Sequence, residues 1–327
     1  MLKAVKYSTL SDLKAEWDPL VASSAARGPF LSWEWQNLWW QTFADGAEAW
    51  LLAVREGDTL VGIAPLMSRQ GQLTFSCGQD VCDYLDVIAR PGYEEAVADA
   101  VVAYLCDKDW ASLDLYCLPP TATALRYLPD DFARAGLTAK VAQLDVCPLL
   151  DLPADWESYL ASLGKKERHE LRRKLRRLES AGRVHTYALA DGEIGPRDVD
   201  DFLALHRCST PEKAMFMDER MEQFFRGLFA RLGRDGLLRL YFMELDGQRV
   251  ATTMCFVQNQ ELLLYNSGYN PDLARLSVGL LLKAYCLQDA IALGLRRFDF
   301  LRGNERYKYD LGGKDLPIYR LLVTRRG

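Results

Sequence analysis

The sequence has few histidines, and it lacks the residue spacings that metal sites need. It contains three histidines, and none is spaced with cysteines or carboxylates as metal ligands are. Its eight cysteines form no Cys-x-x-Cys pair and mostly fall within apolar runs, as Cys255 and Cys286 do. This pattern predicts reduced core cysteines and no structural or catalytic metal.

Long apolar runs are also missing. No window approaches the roughly 18 apolar residues of a membrane-spanning helix, and residues 1–20 contain neither an apolar run nor a small-residue cleavage site. We therefore expect a cytoplasmic protein without a membrane span. The net charge of −5 argues against a general binder of polyanions, although one segment is very basic.

What the sequence does contain is an internal repeat. Residues 54–75 align without gaps on the segment that starts at residue 243, so that Val61 meets Val250 and Leu73 meets Leu262. Each block has the pattern of a three-stranded meander, followed by a helix and a further strand. A chain of 327 residues exceeds what one core usually supports. The sequence therefore predicts two copies of one domain, residues 1–145 and 146–327.

The pattern of the second half predicts the fold class. Helices are expected among mainly antiparallel strands, with one helix-linked pair of strands that is parallel. This mixture indicates an α+β fold in which each domain has a mixed, mainly antiparallel sheet flanked by helices. The expected elements are helix 154–181, strand 183–189, helices 196–208 and 217–233, meander 237–269, helix 275–294 and strands 297–302 and 317–324.

A cluster of polar residues follows the predicted strand at 297–302. It consists of Arg302, Asn304, Glu305, Tyr307 and Lys308. Buried strands that end in convergent polar groups are common places for binding and catalysis. The sequence has no nucleophilic serine elbow and no Walker-type phosphate loop. The cluster therefore predicts a site that works by positioning and proton transfer.

Three segments, residues 30–40, 162–178 and 298–312, resemble the GNAT acyltransferase superfamily in its tandem-domain, Fem-like and CelD-like branch. The resemblance covers essentially the whole chain and implies two GNAT-like domains in tandem. It also implies transfer of an acyl group from a carrier such as acetyl-CoA or another acyl-CoA, or of an aminoacyl group from tRNA, to an amine.

The resemblance implies a carrier site at the third strand of the second meander and at the start of the next helix. A break in strand pairing would release a backbone N–H toward the thioester oxygen, although Asn-Ser-Gly before Pro271 is equally typical of a plain turn. The usual phosphate signature fits residues 275–280 only in part. The predicted carrier-binding residues are Asn266, Ser267, Gly268, Ser277, Val278, Gly279 and Leu280.

The same resemblance gives roles to the polar cluster. Glu305 is the expected base and Tyr307 the acid, while Asp299 is either a base or a structural carboxylate like its counterpart Asp114. The predicted catalytic residues are Glu305, Tyr307, Asp299 and Lys308. The predicted substrate-binding residues are Arg302, Asn304, His206, Tyr269 and Trp35, although a lone histidine or a tryptophan cluster is more often structural.

The segment 165–177 predicts a basic amphipathic helix, with eight basic and two acidic residues. It is either a phosphate-binding or tRNA-binding ridge or a solvated outer face. Because it has no interleaved aromatic residues for stacking, the sequence argues against tRNA as a partner.

The sequence thus predicts an N-acyltransferase of the GNAT type that acts on a small-molecule or glycan amine, such as an aminosugar or a cell-envelope polysaccharide precursor. The first domain is expected to be a degenerate copy that shapes the acceptor cleft. Two alternatives stay open: transfer from aminoacyl-tRNA to a peptidoglycan-type acceptor, and a non-catalytic module that binds a glycan or protein on the same fold.

Overall fold

Contacts divide the chain into two compact units, residues 1–146 with 316–327, and residues 147–315. The computed structural model describes residues 2–190, 192–233 and 236–325. The units differ from the predicted domains at the C-terminal end, because residues 316–324 pair with a strand of the first unit and not with the second. Residues 1, 326 and 327 of the predicted domains lie outside the described residues.

The first unit begins with a strand, two helices and a meander. Its elements are β1 (Lys3–Tyr7), α1 (Lys14–Ser23), α2 (Trp33–Phe43), β2 (Glu48–Glu56), β3 (Thr59–Arg69), β4 (Gln72–Phe75), β5 (Ile88–Ala89), α3 (Glu94–Cys106), β6 (Ser112–Leu118) and α4 (Thr123–Arg134). Strand β7 (Thr138–Asp151) then leads the chain into the second unit.

The second unit contains most of the helices. Its elements are α5 (Trp156–Ser162), α6 (Lys165–Glu179), β8 (Val184–Leu189), α7 (Pro196–Ser209), α8 (Pro211–Phe216), α9 (Glu219–Leu232), β9 (Leu238–Leu245), β10 (Gln248–Gln258), β11 (Glu261–Tyr269), α10 (Val278–Ala292), β12 (Arg297–Asp299) and α11 (Arg306–Asp310). The last strand, β13 (Lys314–Thr324), pairs with β6 of the first unit.

The two units share one sheet topology. In the first, β1, β2, β3, β4, β6 and β13 lie side by side; in the second the order is β8, β9, β10, β11, β12 and residues 149–151 of β7. The pairs β4–β6 and β11–β12 are parallel, and the other described pairs are antiparallel. The α+β class predicted from the sequence is confirmed.

The geometry of the strands confirms the internal repeat. Val61 is the extra residue of a bulge between β2 and β3, and Val250, its counterpart in the sequence, is the extra residue of a bulge between β9 and β10. Asp114 lies opposite Thr74 in one parallel pair, and Asp299 lies opposite Leu263 in the other. β-Bulges are conserved within protein families, so bulges at matching positions of the two units support a duplicated domain.

Helix α10 is the centre of the core of the second unit. Ten of its fifteen residues are buried, and it packs with Phe298, Leu262 and Leu264 of the sheet. The helix ends where Gly294 takes a positive φ of 69° and the Leu295 N–H reaches the Ala290 carbonyl, a glycine-based stop. An apolar helix of this kind is stable because tertiary packing buries it on nearly all sides.

Several element boundaries differ from the prediction for physical reasons. The predicted helix 154–181 is two helices, because Leu163 and Gly164 have extended backbones. Helix α10 begins at residue 278 and not at 275, because residues 271–276 form a 3₁₀ turn and Ser277 has a left-handed backbone. The predicted strand 297–302 ends at Asp299, since Leu301 has a φ of 53°. The short helices α8 and α11 were not predicted.

One pair of cysteines corrects the expectation that all eight are reduced. Cys77 and Cys82 form a disulfide across a five-residue separation in the first unit. Their loop follows β4, where the chain leaves the sheet and brings both side chains into the core. Cys106, Cys208, Cys255 and Cys286 are free thiols, and the last two are buried.

Gly268 allows helix α7 to lie directly against β11. A Cβ atom at this position would collide with the backbone of Leu205 and His206. We expect Gly268→Ala to lower the free energy of unfolding by about 2 kcal/mol or more, as overpacking against a rigid backbone does. The apparent midpoint of urea unfolding measures this loss.

Gly195→Ala is the matched control for Gly268. Its Cβ would lie 3.5 Å from the nearest atom, a carboxylate oxygen of Asp198, at an ordinary contact distance. The control should change the unfolding midpoint far less. Equal effects of the two substitutions would show that the contact with α7 does not require glycine.

Candidate active site

Strands β11 and β12 separate and leave a notch in the sheet of the second unit. They pair in parallel only from Glu261 to Leu263. Beyond this point β11 bulges at Tyr265 and runs on to Tyr269, paired with β10 on one side. Strand β12 stops at Asp299, and the Phe300 N–H turns to the Pro148 carbonyl. Along residues 265–269, the edge of β11 that faced β12 therefore has no partner among the described strands.

Ser267 presents its backbone to this notch. Its carbonyl accepts a hydrogen bond from the Lys213 ammonium of α8, and it lies opposite Thr253 in the pairing with β10. In an antiparallel strand the N–H and C=O of one residue point to the same edge. The Ser267 N–H therefore also faces the notch. Gly268, in contrast, has no side chain that would collide with the backbone of α7. The Tyr269 N–H donates to the Ser209 hydroxyl at 2.8 Å.

The start of α10 lies beside the end of β11. The Tyr269 ring covers Gly279, where an added Cβ would be 2.9 Å from ring atom Cδ1. The N–H groups of Val278, Gly279 and Leu280 precede the first intrahelical bond, from Leu281 to Ser277. Ser277, one of the predicted carrier-binding residues, donates its own N–H to the Ala274 carbonyl at 2.9 Å, so this N–H is not available to a carrier.

A groove of about 240 Å³ adjoins this helix start. Helices α6, α10 and α11 line it, and its charged side chains are three basic and three acidic residues: Lys166, Lys174, Arg306, Glu167, Glu170 and Asp310. Arg177, one turn further along α6, donates to the Ser277 hydroxyl at 3.2 Å. Lys166, Lys174 and Arg177 thus lie near a helix N-terminus, which attracts anions through its free N–H groups and its dipole.

Lys308 organises the loop that follows β12. Its ammonium is 2% exposed and donates to the carbonyls of Leu301, Arg302 and Gly303 at 2.9, 2.7 and 3.1 Å. The Glu305 carboxylate lies 3.0 Å from the same ammonium. Because its three donors are committed to the loop, Lys308 shapes the site and is not available to a substrate.

Asp299 is fully buried and accepts the Leu301 N–H at 2.8 Å. This contact supports the structural role that the sequence also allowed, since it holds the left-handed turn at Leu301. Arg302 and Asn304 lie in the same loop, the first partly buried and the second exposed.

The Tyr307 ring packs edge-on against Phe300, with 6.4 Å between the ring centres. Burial, and to a lesser degree the charge of Glu305, raise the pKa of its phenol, so the group stays protonated throughout the physiological range. The Lys283 ammonium of α10 lies 4.9 Å from the centre of its ring. Glu305 is the first residue before α11, and its side chain is 58% exposed. The loop thus places a proton donor and a carboxylate near each other.

His206 reaches β11 from α7. Its Nε2 lies 2.9 Å from Oδ1 of Asn266, and its ring packs among Phe202, Phe216 and Phe225. Burial, together with the charge of Lys213, lowers the pKa of His206 to about 4. A neutral ring must donate from Nε2 to this oxygen, which fixes the tautomer and the direction of the Asn266 amide.

Trp35 does not belong to this site. It is fully buried in the first unit, and its ring meets that of Phe30 edge-on at 5.0 Å. This is the core role that the sequence also allowed, and not an exposed aromatic surface for a ligand.

Sequence reasoning missed the two lysines of the notch. Lys283 carried a usable signal, because it is the one basic residue of a mostly apolar helical run, residues 278–292. Lys213 carried none, since it belongs to a short polar segment after Pro211. Among the described residues, no group of three or more side chains suited to hold a metal ion occurs.

Residues 165–309 match the family model described as an acetyltransferase (GNAT) domain. A search of curated protein sequences found no match. None of the described helices has the length and apolar character that crossing a membrane requires.

Solved structures similar to the chain cover nearly all of it. FemX has a TM-score of 0.62 at 11% identity, with 97% of this chain and 96% of FemX aligned. L-PGS from Bacillus licheniformis has a TM-score of 0.59 at 11% identity, with 96% and 91% aligned. A tandem GNAT protein from the clavulanic acid biosynthesis pathway has a TM-score of 0.53 at 15% identity, with 100% and 99% aligned. Residues 165–309 thus match a GNAT domain, and the whole chain has the fold of these Fem-like, tandem-domain structures.

The depressed pKa of His206 makes stability depend on pH. His206 binds a proton near pH 6.5 in the unfolded chain and near pH 4 in the folded one. The contribution of the neutral ring to the free energy of unfolding is therefore complete above pH 6.5 and is lost as the pH falls toward 4. The loss amounts to about 3 kcal/mol, at about 1.4 kcal/mol per pH unit. We expect urea unfolding of the wild type to show this extra slope relative to His206→Gln.

His185→Gln is the control for the histidine experiment. His185 is 68% exposed, so its removal should leave the dependence of stability on pH nearly unchanged. A His206→Gln variant with the slope of the wild type between pH 4 and 6.5 would contradict a buried neutral ring.

Proposed function

We propose that the second unit transfers an acyl group from acyl-CoA, or another thioester carrier, to an amine. The observation that carries the proposal is the notch between β11 and β12 beside the start of α10. A thioester placed in the notch would have its carbonyl oxygen at the Ser267 N–H, while the carrier phosphates lie at the N-terminus of the helix. The expected site of action is the cytoplasm.

The basic face of α6 supports a phosphate-bearing carrier. Lys166 and Lys174 line the groove next to Leu280, and Arg177 contacts the residue before α10. The alternative of a purely solvated helix face explains the exposed Arg172 and Arg173, which pair with Glu157 and Glu170. It does not explain why Lys166, Lys174 and Arg177 lie near the start of α10, at a groove that also holds the carboxylates of Glu167, Glu170 and Asp310. Phosphate groups are the natural ligands of such a place.

The chemistry follows from the groups near the notch. The amine nitrogen attacks the thioester carbonyl and forms the new C–N bond, and the C–S bond breaks when the tetrahedral intermediate collapses. Glu305 would accept the proton that the nitrogen loses, and Tyr307, held protonated by burial, would donate a proton to the departing thiolate. Asn266, oriented by His206, lies on the strand that borders the attack.

The first unit is proposed to be a degenerate copy. Its β4 ends at Phe75. Residues 88–89 of β5 pair with β3 at the positions where, in the second unit, the end of β11 pairs with β10. Asp114, the counterpart of Asp299, forms a two-point ion pair with Arg320 of β13. In this unit β13 covers the edge of β6. These features support an architectural role and leave the acceptor, such as an aminosugar or a cell-envelope precursor, to the second unit.

Carrier binding is tested by calorimetry with acetyl-CoA and with longer acyl-CoA thioesters. We expect binding to the wild type, and we expect Lys174→Glu to weaken it about tenfold or more because a groove cation is reversed. Arg176→Glu is the control, since Arg176 is exposed on the same helix and is not among the residues that line the groove. The proposal would be abandoned if no acyl-CoA bound, or if salt-dependent binding of aminoacyl-tRNA took its place.

Turnover tests the assigned roles. With a panel of amine acceptors, Glu305→Gln and Tyr307→Phe should each lower kcat about 100-fold or more while carrier affinity changes little, as loss of general base or acid catalysis predicts. Lys314→Met, a change at an exposed residue of β13, serves as the control. Unchanged turnover in both site variants would remove these two roles.

A further inference from the structure

Lys283 is a buried cation in the middle of an apolar helix. It is 6% exposed and donates to the Gly279 carbonyl of its own helix at 3.2 Å. An ammonium has three donors, so this bond leaves two of them for other groups. Among the described residues, no carboxylate lies within ion-pair distance of this lysine.

Lys213 brings a second ammonium to the same notch. It is partly buried on α8, and its hydrogen bond to the Ser267 carbonyl holds it at the open edge of β11. Burial, and then the charge of Lys213, lower the pKa of Lys283 to about 8, and burial also lowers the pKa of Lys213. The two ammoniums therefore lie within electrostatic reach of each other.

The Glu305 carboxylate does not neutralise the charges of Lys213 and Lys283. Glu305 is near enough to favour both ammoniums electrostatically, but its carboxylate is bound to Lys308 and is mostly exposed. The other neighbours are uncharged, because burial raises the pKa values of Tyr307 and Cys255 and lowers that of His206. Glu305, whose charge acts on both Lys213 and Lys283, is thus already bound to a third lysine. Burying ammonium groups without counter-ions is costly, so the arrangement is suited to receive an anion.

We propose that Lys213 and Lys283 bind a carboxylate of the substrate inside the notch. The inference rests on the proposed acyl transfer and names the class of molecule involved. The carboxylate belongs either to the acyl chain of the carrier, as in succinyl-CoA, or to the acceptor, as in an amino acid. In both cases the free donors of two ammoniums meet the oxygens of one carboxylate, and charge-assisted bonds of this kind are strong.

Two matched pairs of probes separate the sources of the carboxylate. Succinyl-CoA is compared with butyryl-CoA, and an amino acid with its amide, by calorimetry for the carriers and by turnover for the acceptors. We expect the wild type to prefer the charged member of one pair at least tenfold. Lys283→Met and Lys213→Met should each reduce this preference about tenfold or more, whereas Lys314→Met should keep it.

The outcomes distinguish this inference from the proposed function. If butyryl-CoA binds but neither pair shows a preference for the carboxylate, the anion site is wrong and the transferase stands. If no CoA thioester binds, the transferase itself is wrong. If Lys283→Met lowers kcat equally for charged and neutral substrates, Lys283 acts on the reaction and not on a substrate carboxylate, which also overturns the inference.

A second readout covers the case in which the Lys283→Met substitution disturbs the packing. Lys283→Gln keeps a polar side chain of similar length without the charge, and it should lose the preference as Lys283→Met does. Removing an unpaired buried charge should also leave the melting temperature unchanged or raise it. A marked fall in both variants would show that the ammonium supports the fold and is not reserved for a ligand.

Discussion

The end of β12 is the constraint on which the site depends. A strand that continued beyond Asp299 beside β11 would pair with residues 265–269 and leave no opening. The chain instead turns at Leu301 through a left-handed backbone that is unfavourable for a branched aliphatic residue. Two contacts offset this cost: Asp299 accepts the Leu301 N–H, and Lys308 binds three consecutive carbonyls of the loop.

This arrangement concentrates ionisable groups where water is scarce. Lys308 lies beside Glu305, His206 is kept neutral against Asn266, and Lys213 and Lys283 each donate to a backbone carbonyl. Perturbed titration of several groups in one small region is characteristic of functional sites. In a unit whose remaining core is apolar, it marks the notch more clearly than any single residue does.

Much of the fold followed from the sequence, because the patterns involved are local. Alternation of apolar residues predicts the meander, helical periodicity predicts the long helix, and the aligned positions of Val61 and Val250 predict the repeat. The structure agrees with each. The segment 298–311 was also recognisable, since polar residues crowd directly after an apolar strand. The resemblance to the superfamily supplied the rest of the architecture.

What could not be predicted are specific contacts, some within one loop and some between distant residues. The roles of Lys308 and Gly268 are set by backbone atoms that no spacing reveals, and the pairing of β13 with β6 joins residues about 200 positions apart. That pairing has a consequence for biosynthesis. The ribosome completes residues 1–146 long before residues 316–324 exist, so the first unit must wait with the β6 edge exposed until the whole second unit has been made. During that interval the nascent chain depends on other means, such as chaperones, to keep an unpaired strand from associating with its neighbours.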